Sequence, residues 1–217
     1  MRTTMTLILA VLLSLGFAVT SFALSVETGA HNLSNRALTE TTANTEICIY
    51  CHTPHQAQTD SDFDYNPLWN MAATQVVYAS YSTTTFDGTM DTDVLTGPSR
   101  LCMSCHDGTI AVDNAITGES DPLGGDNYIK AGKLIGGGGS LASDHPIGFD
   151  YTTSVTATPA EIAGTSVAMG SGEIGDYLFG GTIMTCATCH DVHDNANGSF
   201  LLVANDDSDL CLTCHLK

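Results

Sequence analysis

The chain has 217 residues, 6 Lys and Arg against 24 Asp and Glu, a formal charge of −18 and an apolar fraction of 43%. That is too hydrophobic for a disordered chain. So acidic a protein is repelled by nucleic acid and by anionic membrane surfaces, which excludes both as partners.

In chain order, Arg2 precedes an apolar run from Leu7 to Val19, and the small residues Ser21 and Ala23 flank the bulky Phe22. That pattern predicts a signal peptide over residues 1–23 and a single mature domain over 24–217. No Cys follows the cleavage point, and no later stretch approaches the roughly 20 apolar residues of a membrane span, so the product is expected to be exported without an anchor. Asn66 with Pro67 predicts a short helix through Leu68, Trp69 and Asn70, and Gln75 to Tyr81 predicts a short strand. Ser99 and Ser208 each stand three residues before a Cys and are predicted caps of the turns that carry Cys102 and Cys211. Thr158-Pro159-Ala160-Glu161 predicts a capping box that opens a helix stopped by Gly164. The long stretch 107–185 holds Lys130, Lys133, the run Gly136 to Gly139 and Asp144-His145-Pro146. It is expected to be a tied-down wrapping loop and not a second domain. Gly, Ser, Thr, Asp and Asn dominate between these pieces, with no sustained amphipathic helix or set of alternating strands. The predicted fold class is mostly irregular and loop-rich, with few short α-helices and minimal β, wrapped around cofactors.

The cysteines show which cofactors. They occur only as four spaced pairs, each followed at once by His: Cys48, Cys51 and His52; Cys102, Cys105 and His106; Cys186, Cys189 and His190; Cys211, Cys214 and His215. This is the attachment signature of haem c, in which two thiols add across the vinyl groups of one porphyrin and the adjacent imidazole binds its iron. Paired CxxC motifs also build zinc sites, and an even Cys count in an exported chain also builds a disulfide framework. Neither calls for a His after every pair, so four covalently attached haem c groups are expected.

The histidine count closes on the same reading. With His52, His106, His190 and His215 as proximal ligands, His31, His55, His145 and His193 remain for four irons that each lack one axial ligand. Four bis-histidine haems are therefore expected. Met71, Met90, Met103, Met169 and Met184 are left to pack against porphyrin faces. His55 and His193 each follow a proximal His by three residues on one face of a short helix. Neither can reach round to the far side of its own iron, so each is expected to ligate a different haem. The porphyrins are expected to supply most of the core, leaving the apoprotein largely unfolded.

An iron with two protein ligands has no vacant position for a substrate, so it transfers electrons and no enzymatic site is expected. The segments Gly29 to Ser34, Cys48 to His55, Leu101 to Gly108, Asp144 to Gly148 and Cys186 to His193 resemble the tetrahaem extracellular nanowire cytochromes of the OmcE type. The resemblance covers all eight histidines in order. It implies a homopolymer, a secreted or cell-surface filament with a continuous haem chain, one of whose irons is ligated by a His of the neighbouring protomer. It further implies upstream periplasmic or outer-membrane cytochromes as donors and extracellular electron acceptors. His55, in the first motif, is the expected bridging residue. The alternative is a soluble periplasmic tetrahaem shuttle.

Overall fold

The computed structural model describes residues 25–35, 46–112, 114, 128–129 and 131–216. The predicted signal peptide and Lys130 lie outside these residues.

Helix formation is local and short because Gly, Ser and Thr interrupt every apolar run. Among the described residues the α-helices are α1 (Ser25–Thr28), α2 (Pro98–His106), α3 (Tyr151–Ala157) and α4 (Asp209–Cys214). The longest, α2, starts at Pro98, whose fixed φ suits the first helical position. Its N-cap, Gly97, sits at φ 60, a conformation that a side chain would oppose. Asp64 anchors that entry by accepting from the Gly97 N–H at 2.8 Å and the Thr96 hydroxyl at 2.6 Å. At α3 the Asp150 carboxylate caps the N–H groups of Thr152 and Thr153.

The strands are two residues each. Thr89–Met90 (β1), Phe149–Asp150 (β2) and Ile183–Met184 (β5) form an antiparallel sheet in the order β1-β2-β5. Ala168–Met169 (β3) pairs with Gly172–Glu173 (β4) as a hairpin. Fold class thus agrees with the expectation: loops, short helices and small sheets.

Three separate apolar clusters hold these pieces. Phe149, Tyr151, Ala163, Met169, Ile174, Leu178 and Met184 form the largest. Tyr78, Leu95, Met103 and Leu141 form a second, and Leu33, Tyr50 and Val112 a third. Four of the five methionines expected to pack against porphyrin faces take part in these clusters. Met103 is 0% exposed among side chains, Met169 and Met184 lie in the largest cluster, and Met90 packs against it. Part of the core is therefore side-chain core, beside whatever share the porphyrins supply.

Several local expectations fail for identifiable reasons. Asn66 does cap, its Oδ1 accepting from the Trp69 N–H at 2.8 Å, but Leu68 turns to φ 60 and closes a turn where a helix was predicted. Thr158 ends α3 and starts no helix: its N–H and its hydroxyl both donate to the Ser154 carbonyl, at 2.9 and 3.0 Å. From Gln75 to Tyr81 no strand forms, and only Ala79 is paired, through an isolated bridge to Ser140. Ser99 lies inside α2, and Ser208 precedes α4 in a left-handed conformation without a side-chain cap bond.

Candidate haem sites

Three of the four motifs are held by the same clip. In the first, the 3-10 turn Ile47–Tyr50 brings the His52 N–H onto the Cys48 carbonyl at 2.9 Å. A returning segment then pairs with it: the Thr53 N–H donates to Leu68 O and the Asn70 N–H to Cys51 O, both at 2.9 Å. The third motif repeats this, with Asp191 N–H on Phe200 O at 2.8 Å and Leu202 N–H on Cys189 O at 3.0 Å. At the fourth, Leu216 N–H donates to Glu161 O at 2.8 Å and Ala163 N–H to Cys214 O at 2.9 Å. Trp69, Leu201 and Ile162 are the bridge partners of His52, His190 and His215 respectively.

The first and third clips match further. His52 Nδ1 lies 2.7 Å from Pro67 O, and His190 Nδ1 lies 3.0 Å from Ser199 O. A backbone carbonyl as partner makes Nδ1 the protonated nitrogen and leaves Nε2 as the donor to a metal, the usual outer-shell arrangement of a ligating His. In both, the residue after that carbonyl is left-handed, Leu68 at φ 60 and Phe200 at φ 58. The second motif is instead carried in α2, with Cys102, Cys105 and His106 in its last two turns. The signal for the clip was present as a bulky pair after a turn former, Leu68-Trp69 and Phe200-Leu201, at unequal distances from the motif. Sequence reasoning missed it.

The imidazoles face each other across the motifs. His31 and His106 have ring centroids 6.1 Å apart, His52 and His193 6.1 Å, and His145 and His215 6.4 Å. Two imidazoles bound to one iron through Nε2, each about 2.0 Å from it, place their centroids about 6.4 Å apart. The interplanar angles are 60°, 16° and 73° in the same order. No ring contact joins His55 to His190. Both are exposed. The three separations match that span, so the residues fit the group that the motifs imply.

The thiols follow chain order. Cys51 lies close to Cys105, Cys102 to Cys186, and Cys189 to Cys214. Burial, reinforced by neighbouring thiols, pushes Cys51 and Cys189 up to about 11 and Cys105 up to about 12. The hydrogen bond with Cys186, together with burial, raises Cys102 well above the ordinary thiol value. Cys186 is instead held below the ordinary thiol value by its hydrogen bonds with Cys102 and Ser99, against the effect of burial. None of the eight cysteines is in a disulfide. Among the described residues no three His, Cys, Asp or Glu side chains converge as bare metal ligands. No helix among those residues is long and apolar enough to cross a membrane.

Beside the second motif, the Asp107 carboxylate accepts from Thr74 Oγ1, from Tyr78 O–H at 2.9 Å, and from the Thr109 N–H and hydroxyl at 2.8 Å each. Burial opposes its charge, but these donors outweigh burial and hold it below the usual carboxylate range. The loop after His106 is thereby fixed to the second apolar cluster through Tyr78.

Comparison with known proteins agrees with this chemistry. A family model described as the doubled CXXCH motif matches residues 181–217, which contain the third and fourth motifs. The C-type polyheme cytochrome OmcB of Geobacter sulfurreducens, from strains KN400 and PCA, is 33% identical over 131 residues. The match takes in 54% of this chain and 16% of the relative, so the chain corresponds to a small part of that protein. The doubled motif and this likeness support covalent attachment of haem c at CXXCH motifs of this chain.

Proposed function

We propose that the chain carries four haem c groups with bis-histidine ligation and polymerises into filaments that carry electrons to extracellular acceptors. In this reading Cys48 and Cys51, Cys102 and Cys105, Cys186 and Cys189, and Cys211 and Cys214 hold the porphyrins. His52, His106, His190 and His215 are the proximal ligands. The distal ligands are His193 for the iron at His52, His31 for that at His106 and His145 for that at His215, a pairing that the ring contacts support. When bound, the haem irons supply one-electron transfer, and two nitrogen ligands apiece leave no position for a substrate. No enzymatic activity is therefore proposed.

The observation that carries the filament is what the three pairs leave over. His190 presents Nε2 with its Nδ1 fixed on Ser199 O. His55 is exposed, its backbone pinned by the Thr53 hydroxyl through bonds at both N and O. One donor and one acceptor at different places on the same chain make a head-to-tail contact, which propagates without closing unless its rotation closes a ring. A second copy's His55 on the iron at His190 completes the ligand set. The product is read as a secreted or cell-surface filament of single mature domains spanning residues 24–217, fed by periplasmic or outer-membrane cytochromes.

The test is the variant His55→Ala. It is expected to retain four haems per chain by pyridine haemochromogen assay, to form no filaments, and to bind one carbon monoxide per chain when reduced. Intact filaments, or a reduced variant that binds no carbon monoxide, would overturn the bridging role. A discrete particle from the unaltered chain would leave the periplasmic shuttle as the function.

A further inference from the structure

The return segment of the third motif has two consecutive non-glycine residues in the left-handed region, Ser199 at φ 50 and Phe200 at φ 58. Such a conformation is uncommon for any side chain and unfavourable for an aromatic one, and it persists only where its surroundings over-determine it. Here Asn195 Oδ1 accepts from the Phe200 N–H at 2.9 Å, and Asn197 Nδ2 donates to the carbonyls of Leu201 and Leu202 at 3.0 and 3.1 Å. Two loop amides thus hold the turn from either side.

The two held residues point at histidines of different motifs. The Ser199 carbonyl meets His190 Nδ1 at 3.0 Å. The Phe200 ring, 6% exposed, stacks on His31 with centroids 4.5 Å apart and planes 17° from parallel. His31 in turn faces His106. The matching turn of the first motif bonds His52 through Pro67 O but carries Leu68, which is 55% exposed. The aromatic contact therefore belongs to the third clip and is not needed for the clip itself.

We propose that the Ser199–Phe200 turn is a shared positioning element for two irons, fixing the protonated nitrogen of His190 by its carbonyl and the ring plane of His31 by its aromatic face. This rests on the ligand assignment proposed above. A hydrogen bond from the Nδ1 of a ligating imidazole raises the basicity of the nitrogen on the metal. The angle between two axial imidazole planes sets the magnetic anisotropy of a ferric low-spin iron. One turn thereby adjusts two redox centres together, through different physical handles.

The test compares electron paramagnetic resonance spectra and haem-resolved potentials of the oxidised holoprotein with those of Phe200→Leu, Phe200→Tyr and Asn195→Ala. Haem content per chain is measured in each. Phe200→Leu, which makes the third clip resemble the first, is expected to shift the signal of the iron between His31 and His106 and to leave the signal with near-parallel planes, from His52 and His193, in place. Phe200→Tyr is expected to restore the wild-type spectrum. Asn195→Ala keeps the ring but frees the turn, and is expected to shift the His31 signal and the potential of the iron at His190 together. With four haems present, spectra and potentials unchanged in both Phe200→Leu and Asn195→Ala would overturn the proposal. A wild-type spectrum lacking low-spin bis-histidine signals would instead overturn the ligand assignment beneath it.

Discussion

The stretch from Phe149 to Met184 and the stretch around the first motif are built in different ways. The former gathers seven buried residues around Ile174, pairs β2 with β5 and β3 with β4, and ties the Tyr151 hydroxyl to Ala163 O at 2.7 Å. The latter has Tyr50 with Leu33 and Val112 as its buried apolar contacts and relies on backbone clips and buried polar residues such as Thr53 and Asn70. Each buried apolar side chain contributes about 1.5–3 kcal/mol, so the first region can hold its shape from side chains alone and the second cannot. The difference teaches where the cofactor does structural work. On the ligand assignment proposed above, a porphyrin at His52 would complete a core that the side chains leave thin, whereas near Ile174 the core exists already.

Withholding haem attachment should break this comparison most visibly. In chain produced without haem, amide hydrogen exchange is expected to lose protection throughout residues 46–70 while protection survives in β2, β5 and the Ile174 turn. Uniform loss, or uniform retention, would show that the two regions do not differ as described. Next in size, Ile174→Ala opens a cavity at a residue with 0% exposure, and is expected to cost about 3 kcal/mol in thermal or denaturant unfolding of the holoprotein. A cost below about 1 kcal/mol would mean that the cluster collapses around the loss. Smallest, Asp150→Ala removes the acceptor for two N–H groups of α3 and should cost about 1 kcal/mol by the same measurement, with unchanged haem absorption. A change in the haem spectrum on that substitution would couple the self-packed region to the irons more tightly than its contacts indicate.

The chemistry of the sites was legible in the sequence because it is covalent and local. Eight cysteines in four motifs and eight histidines require no knowledge of long-range contacts. The family likeness supports the haem chemistry of the last two motifs directly. The pairing of histidines was not legible, since His31 and His106, or His145 and His215, meet only once the loops between them are placed. His190 and His193 do not share a helical face, because no helix continues past the third motif. After Cys186–Thr188 the chain enters a bridge and turns, and it is this departure from helix that frees His193 to face His52. The local misreadings share a cause. The Asn66 cap and the Thr158 hydroxyl were recognised as capping chemistry, but both are used to stop or turn the chain. In a protein whose segments must fold back to clip a haem motif, ending an element is as common a task as starting one. Nor does the sequence show how much apolar area Tyr78, Leu95 and Leu141 bring to Met103.

Electron cryomicroscopy of the secreted holoprotein tests the central claim most directly, at a resolution that shows axial ligands. The account predicts filaments of repeating protomers, four haems each, with His55 of one copy on the iron at His190 of the next and the other three irons closed within one chain. Monodisperse particles near the monomer mass, with the iron at His190 completed from its own chain, would contradict it.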